Sequence, residues 1–107
     1  MVRRALVFRT ANGDEPFTRV DSLKDALGAS KIRARVLRAK LGNLGDYQSV
    51  GLGVIELRIH FGPGYRVYIA LQGEEWIVLL AAGDKNSQRM TFSVRKSIGK
   101  TIRIVYE

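Results

Sequence analysis

The sequence predicts an α+β domain in which helices pack on one face of a small sheet. Three observations support this class: an apolar, strand-forming segment near the amino terminus, apolar residues at helical spacing after it, and alternation of apolar and polar residues from Val54 onward. A length of 107 residues fits one domain. With 46% hydrophobic residues the chain has enough apolar material to fold, so general disorder is excluded.

The amino-terminal segment predicts a strand followed by a helix. Ala5-Leu6-Val7-Phe8 is short and apolar, which predicts a first strand over residues 3–9. A turn follows, and Pro16 suits the first turn of a helix, where Asp14 and Glu15 complement the positive end of the helix dipole. Gly28 is expected to interrupt this first helix.

A second helix is predicted from about Ser30 to Leu41, since Gly42-Asn43 is a usual helix stop. Its apolar face repeats every three to four residues. The members of this face are Ala29, Ile32, Val36 and Ala39.

Three antiparallel strands are predicted to follow the second helix. From Val54 the apolar period is two, so Ile55, Leu57 and Ile59 face one side of a strand. Gly62-Pro63-Gly64 predicts a turn, and the next strand covers residues 65–71. Residues 76–82 are apolar throughout, as in a central strand covered on both faces. The predicted fold is therefore an N-terminal strand, two helices and a three-stranded meander that completes a small sheet.

Composition excludes several classes of protein. The chain has no cysteine, which excludes a disulfide scaffold and a thiolate metal site. A single histidine excludes a His-rich metal site, so no metal and no cofactor are expected. No apolar run approaches the roughly 20 residues of a membrane span, and the first ten residues do not resemble a secretory signal. We therefore expect a cytoplasmic protein without a membrane partner.

The positive charge is concentrated in two blocks. The formal net charge is +8, and residues 31–40 and 89–103 each contain five basic residues and no acidic one. Such blocks are often only solvated faces. Two separate acid-free blocks nevertheless favour contact with a polyanion such as nucleic acid.

The polar face of the predicted meander brings together groups that suit phosphate chemistry. Guanidiniums can hold a phosphate and stabilise charge on a pentacoordinate phosphorus, while a carboxylate, imidazole or amine transfers protons. This set suits metal-free RNA cleavage by the 2′-hydroxyl, although each residue alone is equally explained as surface charge or turn chemistry. The candidate residues are Glu56, Arg58, His60, Arg66, Tyr68 and, in the loop after the last strand, Lys85.

Four ordered blocks of the sequence resemble the RelE/ParE toxin superfamily, and more narrowly its HigB-like addiction module killer branch. The resemblance covers roughly residues 5–88. The blocks are Gly42-Asn43-Leu44-Gly45-Asp46, Val50-Gly51-Leu52-Gly53-Val54-Ile55-Glu56-Leu57-Arg58-Ile59, Gly62-Pro63-Gly64-Tyr65-Arg66-Val67-Tyr68 and Gly83-Asp84-Lys85-Asn86-Ser87-Gln88.

The resemblance implies a RelE-like fold and the toxin of a type II toxin–antitoxin module, with a helix-turn-helix protein as its cognate antitoxin. RelE-like relatives cut mRNA in the ribosomal A site without a metal, whereas ParE-like relatives poison DNA gyrase. The ribosome and mRNA are thus the expected partners. The alternatives are a gyrase poison, or a degenerate relic that binds antitoxin or nucleic acid without catalysis.

The resemblance also implies roles for single residues. Arg66 matches the arginine that contacts the scissile phosphate, and Lys85 matches a basic catalytic residue after the buried strand. Arg58 matches a basic position on the preceding strand, whereas Glu56 stands where some relatives carry lysine; His60 completes the expected catalytic set. Basic residues of the second helix and one tyrosine would contact RNA. These are Lys31, Arg35, Arg38, Lys40 and Tyr68.

The tail departs from the family pattern. Relatives of this branch continue after the last block with Asp-Ile-x-x-Ala and a polar helix, whereas this chain continues with Arg89-Met90-Thr91-Phe92. A shifted reading frame permits Asp-Asp-Ile-Gln-Arg-Ala across residues 89–95. We therefore divide the chain into a toxin domain, residues 1–88, and an atypical tail, residues 89–107, and hypothesise that the tail is frameshifted. The nucleotide sequence tests this hypothesis.

Overall fold

A five-stranded mixed sheet forms the centre of the molecule in a computed structural model, which describes residues 2–51 and 53–84 and the backbone of residues 92–96 and 102–106. The strand order is β1-β5-β4-β3-β2; β1 runs parallel to β5, and the other neighbours are antiparallel. The strands are β1 (Arg4–Val7), β2 (Tyr47–Gly51), β3 (Val54–Ile59), β4 (Tyr65–Gln72) and β5 (Trp76–Asp84).

Two helical segments connect β1 to β2. The first is a 3-10 helix, Pro16–Ser22, which begins at a proline and packs against β5. The second is α1, Ala26–Lys40, which contacts β3 and β4. The carboxylate of Asp25 caps α1 by accepting a hydrogen bond of 2.9 Å from the backbone N–H of Gly28.

The predicted RelE-like class, with an N-terminal strand, two helices and a three-stranded meander, is wrong. The chain forms a five-stranded mixed sheet, the first predicted helix is only a seven-residue 3-10 helix, and β2 adds a strand before the meander. Every residue of β2 is exposed, so its sequence carries no apolar alternation. Its pairing with β3 in a tight hairpin decides its conformation instead, because the apolar period alone does not indicate a strand here.

Gly28 lies inside α1 instead of ending a helix, and tertiary contact explains this. A β-carbon at position 28 would lie 2.6 Å from the hydroxyl oxygen of Tyr65 and 2.7 Å from a carboxylate oxygen of Asp25. Tyr65 belongs to β4, so the absence of a side chain allows the first turn of α1 to approach the sheet closely.

The main hydrophobic core lies between the helical segments and one face of the sheet. Val20 from the 3-10 helix and Ile32 from α1 are buried against the sheet. The predicted alternation in β3 is confirmed, because Ile55, Leu57 and Ile59 all lie in this core. We call this side of the sheet the helix-covered face.

The opposite face of the sheet has a smaller apolar cluster. Val54, Ala70 and Leu80 are buried there, with Phe8 and Val78 packed against them. Beside this cluster, β3 and β4 continue with polar and charged side chains on the same face. The opposite face therefore has an apolar part and a polar part, and the polar part contains most of the predicted site.

The tail from residue 89 contains two strands, β6 (Phe92–Lys96) and β7 (Ile102–Tyr106). They pair antiparallel with each other as a two-stranded sheet, with Val94 opposite Ile104.

Candidate functional site

Pairing between β3 and β4 brings four predicted site residues together on the opposite face. Glu56 lies directly across from Tyr68, and Arg58 lies across from Arg66. Residues directly opposite in an antiparallel pair point to the same side of the sheet, so all four side chains share one surface. On β2, Gln48 is the partner of Glu56 and extends the row. We call these five residues the polar cluster.

Glu56 is the centre of the polar cluster. It is only 6% exposed. Its Oε1 accepts a hydrogen bond of 2.9 Å from Nε of Arg58, and its Oε2 accepts one of 3.0 Å from the Tyr68 hydroxyl. Nη1 of Arg66 lies 3.6 Å from the same Oε2 in an ion pair. Both carboxylate oxygens are therefore occupied, as the burial of a charge requires.

Arg58 and Arg66 remain accessible although both contact Glu56. Their side chains are 38% and 42% exposed, respectively. Arg58 also donates a hydrogen bond from Nη2 to the side-chain carbonyl of Gln48. Two guanidiniums face one carboxylate, so this group of three carries a net charge of +1. Since each guanidinium has five N–H donors, donors remain for an anion from solvent.

Tyr68 keeps its proton at neutral pH. Burial raises the pKa of its hydroxyl, and the hydrogen bond to Glu56 raises it further, while Arg66 acts in the other direction. Tyr68 therefore contributes a hydrogen-bond donor to the cluster and not a base.

A pocket of about 530 Å³ opens at the hairpin between β3 and β4. Arg58 and Arg66 line it from the strands and His60 from the start of the hairpin, so three nitrogen-bearing side chains reach one cavity. The remaining lining residues are Ile59, Phe61, Gly62, Gly64 and Tyr65.

His60 is paired with a carboxylate that the sequence reasoning did not single out. Its Nε2 lies 2.6 Å from Oδ2 of Asp46, and its side chain is 78% exposed. The hydrogen bond to His60 lowers the pKa of the Asp46 carboxyl. The contact with Asp46 fixes the orientation of the imidazole ring. No spacing rule in the sequence could have found this pair, because fourteen residues separate its members.

The basic residues of α1 do not share one environment. Nζ of Lys31 lies 5.5 Å from the centroid of the Phe61 ring, beside the pocket. Arg38 is exposed and Lys40 is half-buried. Arg35 is 9% exposed, and its guanidinium faces backbone carbonyls inside the molecule. The expected RNA contact of Arg35 is thus a structural contact, and its position between Ile32 and Val36 on the apolar face was the available signal.

Lys85, the remaining predicted catalytic residue, lies outside the described residues. In the described part of the chain, no helix has the length and apolar character needed to cross a membrane. Residues 2–51 and 53–84 also contain no group of three or more His, Cys, Asp or Glu side chains that could hold a metal ion.

Comparison with known proteins identifies a relative in Haemophilus influenzae, described as an uncharacterized protein. It is 45% identical to this chain over 69 residues, which span 64% of this chain and 70% of the relative. No family model matches the chain, and no solved structure matches it. An identity this high over most of the relative's length shows common ancestry, and the chain therefore belongs to the same family as this Haemophilus influenzae protein.

Proposed function

We propose that this protein is the toxin of a type II toxin–antitoxin module and cuts mRNA on the ribosome. The observation that carries the proposal is the pair of partly exposed guanidiniums, Arg58 and Arg66, held beside the buried carboxylate of Glu56 at the edge of a pocket. Two fixed guanidiniums at a cavity are the arrangement that recognises a phosphodiester. The four sequence blocks that resemble the HigB-like branch add the toxin assignment.

In the proposed reaction the 2′-hydroxyl of one nucleotide attacks its own 3′-phosphate. The 2′-hydroxyl passes its proton to a base as the new P–O2′ bond forms. The P–O5′ bond breaks as the departing 5′-oxygen takes a proton from solvent, so the products are a 2′,3′-cyclic phosphate and a free 5′-hydroxyl. Arg66 and Arg58 bind the non-bridging oxygens and stabilise the added negative charge of the pentacoordinate phosphorus. Because guanidiniums supply this charge, the proposed mechanism needs no metal.

Proton transfer is best assigned to His60. It lines the pocket, it is exposed, and Asp46 orients its ring. An imidazole both accepts and donates protons near neutral pH. Glu56 is less suited, because its two oxygens already accept hydrogen bonds from Arg58 and Tyr68. The proposed role of Glu56 is to orient the two arginines.

The proposed partners follow from the same assignment. Lys31, Arg38 and Lys40 on α1 would contact ribosomal RNA through phosphate neutralisation, and Tyr68 would remain in the phosphate site. Ribosome binding would place the protein in the cytoplasm, and a helix-turn-helix antitoxin would neutralise it.

Toeprint mapping of mRNA in a reconstituted translation reaction tests the proposal. We expect the wild-type protein to cut only ribosome-bound message, and Arg66→Ala to lose roughly 100-fold or more in cleavage rate, as when one charge-stabilising donor is removed. Arg33→Ala is the matched control, since Arg33 is exposed on α1 and pairs with Asp21.

Absence of cuts with folded wild-type protein would contradict the nuclease assignment. Equal inhibition of gyrase supercoiling by the wild-type and Arg66→Ala proteins would then support a gyrase poison. No effect in either assay would leave the non-catalytic relic.

A further inference from the structure

Arg35 is a buried cation that forms no ion pair within the described part of the chain, although the charge of Asp46 attracts its guanidinium. It is 9% exposed. Burial lowers the pKa of its guanidinium. Removing a charge from water is unfavourable unless other groups solvate the charge. Backbone carbonyls solvate the charge of the Arg35 guanidinium.

The guanidinium of Arg35 contacts the backbone hydrogen-bonding groups on both sides of one residue of β3, Arg58. Its Nη1 donates to the carbonyl of Arg58 at 3.1 Å, and its Nη2 donates to the carbonyl of Asp46 at 2.7 Å. That carbonyl of Asp46 also accepts the backbone N–H of Arg58 at 3.0 Å. Arg35 therefore fixes the position of the Arg58 carbonyl and also of the Asp46 carbonyl, which accepts the backbone N–H of Arg58.

The loop before β2 is shaped around the same guanidinium. Nη2 of Arg35 donates a second hydrogen bond, of 2.8 Å, to the carbonyl of Leu44. Gly45 has a φ of +62°, and a β-carbon there would lie 2.6 Å from Nη2. The loop that carries Asp46, the partner of His60, thus follows Arg35 closely and requires glycine at this point.

From these contacts we infer that Arg35 is a positioning residue, which acts on the proposed phosphate site through Arg58 and through the loop that carries Asp46. The inference rests on the proposed function for its catalytic consequence. A guanidinium suits the task because its planar donors reach three carbonyls in fixed directions. The single ammonium of lysine keeps the charge and lacks this geometry.

The test compares Arg35→Lys with Arg33→Lys, the same substitution at an exposed position of the same helix. In the reconstituted translation reaction we expect Arg35→Lys to lower the maximal cleavage rate by about 10- to 100-fold, since small displacements of a catalytic group have effects of this size. The protein concentration for half-maximal cleavage should remain unchanged, because exposed residues mediate binding. Thermal unfolding must show that both variants are folded at the assay temperature.

A second measurement does not depend on cleavage. NMR can measure hydrogen exchange of the Arg58 side-chain Nε–H, whose signal is assigned by its loss in Arg58→Lys. The exchange rate reports the hydrogen bond from this Nε–H to Glu56. We expect exchange to be about tenfold faster in Arg35→Lys and unchanged in Arg33→Lys, since ordering of about 1.4 kcal/mol corresponds to that factor. If Arg35→Lys does not fold, Gly45→Ala is used in its place. The added β-carbon displaces the guanidinium of Arg35 without removing the guanidinium.

The two arms separate the inference from the proposed function. If the wild-type protein cuts no mRNA, the nuclease assignment is contradicted. The positioning role of Arg35 is then tested by the NMR exchange measurement alone. The inference is overturned if exchange of the Arg58 Nε–H is unchanged in the folded Arg35→Lys variant. It is also overturned if this variant cuts at the same maximal rate as the wild-type protein.

Discussion

The helix-covered face of the sheet and its opposite face use burial differently. On the helix-covered face the buried groups are apolar, as with Ile32 of α1 against Leu57 and Val67 of the sheet, all fully buried. On the opposite face a small apolar cluster adjoins a buried carboxylate, Glu56, whose oxygens are shared among arginines and a tyrosine. The helix-covered face therefore buries most of the apolar core, and the opposite face presents the charged groups.

The strongest test of this comparison uses two valines that are both fully buried. Val67 lies in the main core on β4, and Val54 lies in the small cluster on β3. We expect Val67→Ala to lower the free energy of unfolding by about 3 kcal/mol, from lost burial and the cavity left behind. Val54→Ala should cost roughly 1 kcal/mol less, because a cavity in a smaller cluster collapses more easily. Urea denaturation of both variants measures the difference, and equal losses would contradict the division between the faces.

A smaller effect is expected where the two regions join, at the loop around Arg35. Gly45→Ala should lower the free energy of unfolding by about 2 kcal/mol, from strain at positive φ and displacement of the guanidinium. Gly42→Ala is the matched control, since Gly42 has a φ of +94° with open space around it. It should cost about 1 kcal/mol, from backbone strain alone. Thermal unfolding compares the two, and a loss for Gly42→Ala as large as that for Gly45→Ala would argue against a tight contact with Arg35.

The last effect concerns Tyr65 and is absent at neutral pH, since it is confined to alkaline pH. The hydrogen bond of 2.6 Å to Asp25 raises the pKa of Tyr65 from 10.0 to about 12. A group whose pKa is raised by folding contributes stability that is complete below its unfolded pKa, here about 10, and is lost as the pH rises toward 12. Absorbance titration at 295 nm, corrected with Tyr65→Phe, measures the ionisation. Asp25→Asn should move the pKa of Tyr65 back toward 10, and an unmoved pKa would show that Asp25 is not its cause.

Local pattern was sufficient wherever one face of an element is buried. The alternation in β3 predicted which residues enter the core, and the apolar run of β5 predicted a strand covered on both faces. It also predicted that Glu56, Arg58, Arg66 and Tyr68 would share one surface, because the period of a strand is two.

Local pattern failed wherever contacts outside an element decide the outcome. β2 is exposed throughout, so no apolar alternation marks it, and its hairpin with β3 makes it a strand. Gly28 resembles a helix breaker until Tyr65 is seen to occupy the space of a side chain. The predicted fold class is wrong for the same reason, because the mixed sheet depends on contacts that no local pattern shows. The parallel pairing of β1 with β5 joins segments about seventy residues apart in the chain.

The sequence by itself determined the charge of the molecule, its apolar faces and the residue types available for phosphate chemistry, because these depend on composition and short-range period. Only the tertiary structure decided which arginine is free and which is structural. Arg35 and Arg38 lie one turn apart on α1, yet the first faces three carbonyls and the second faces solvent. The place of Arg35 on the apolar face of α1 indicated burial, but the carbonyls that accept its hydrogen bonds come from β3 and from the loop before β2, and no local property of the helix specifies them.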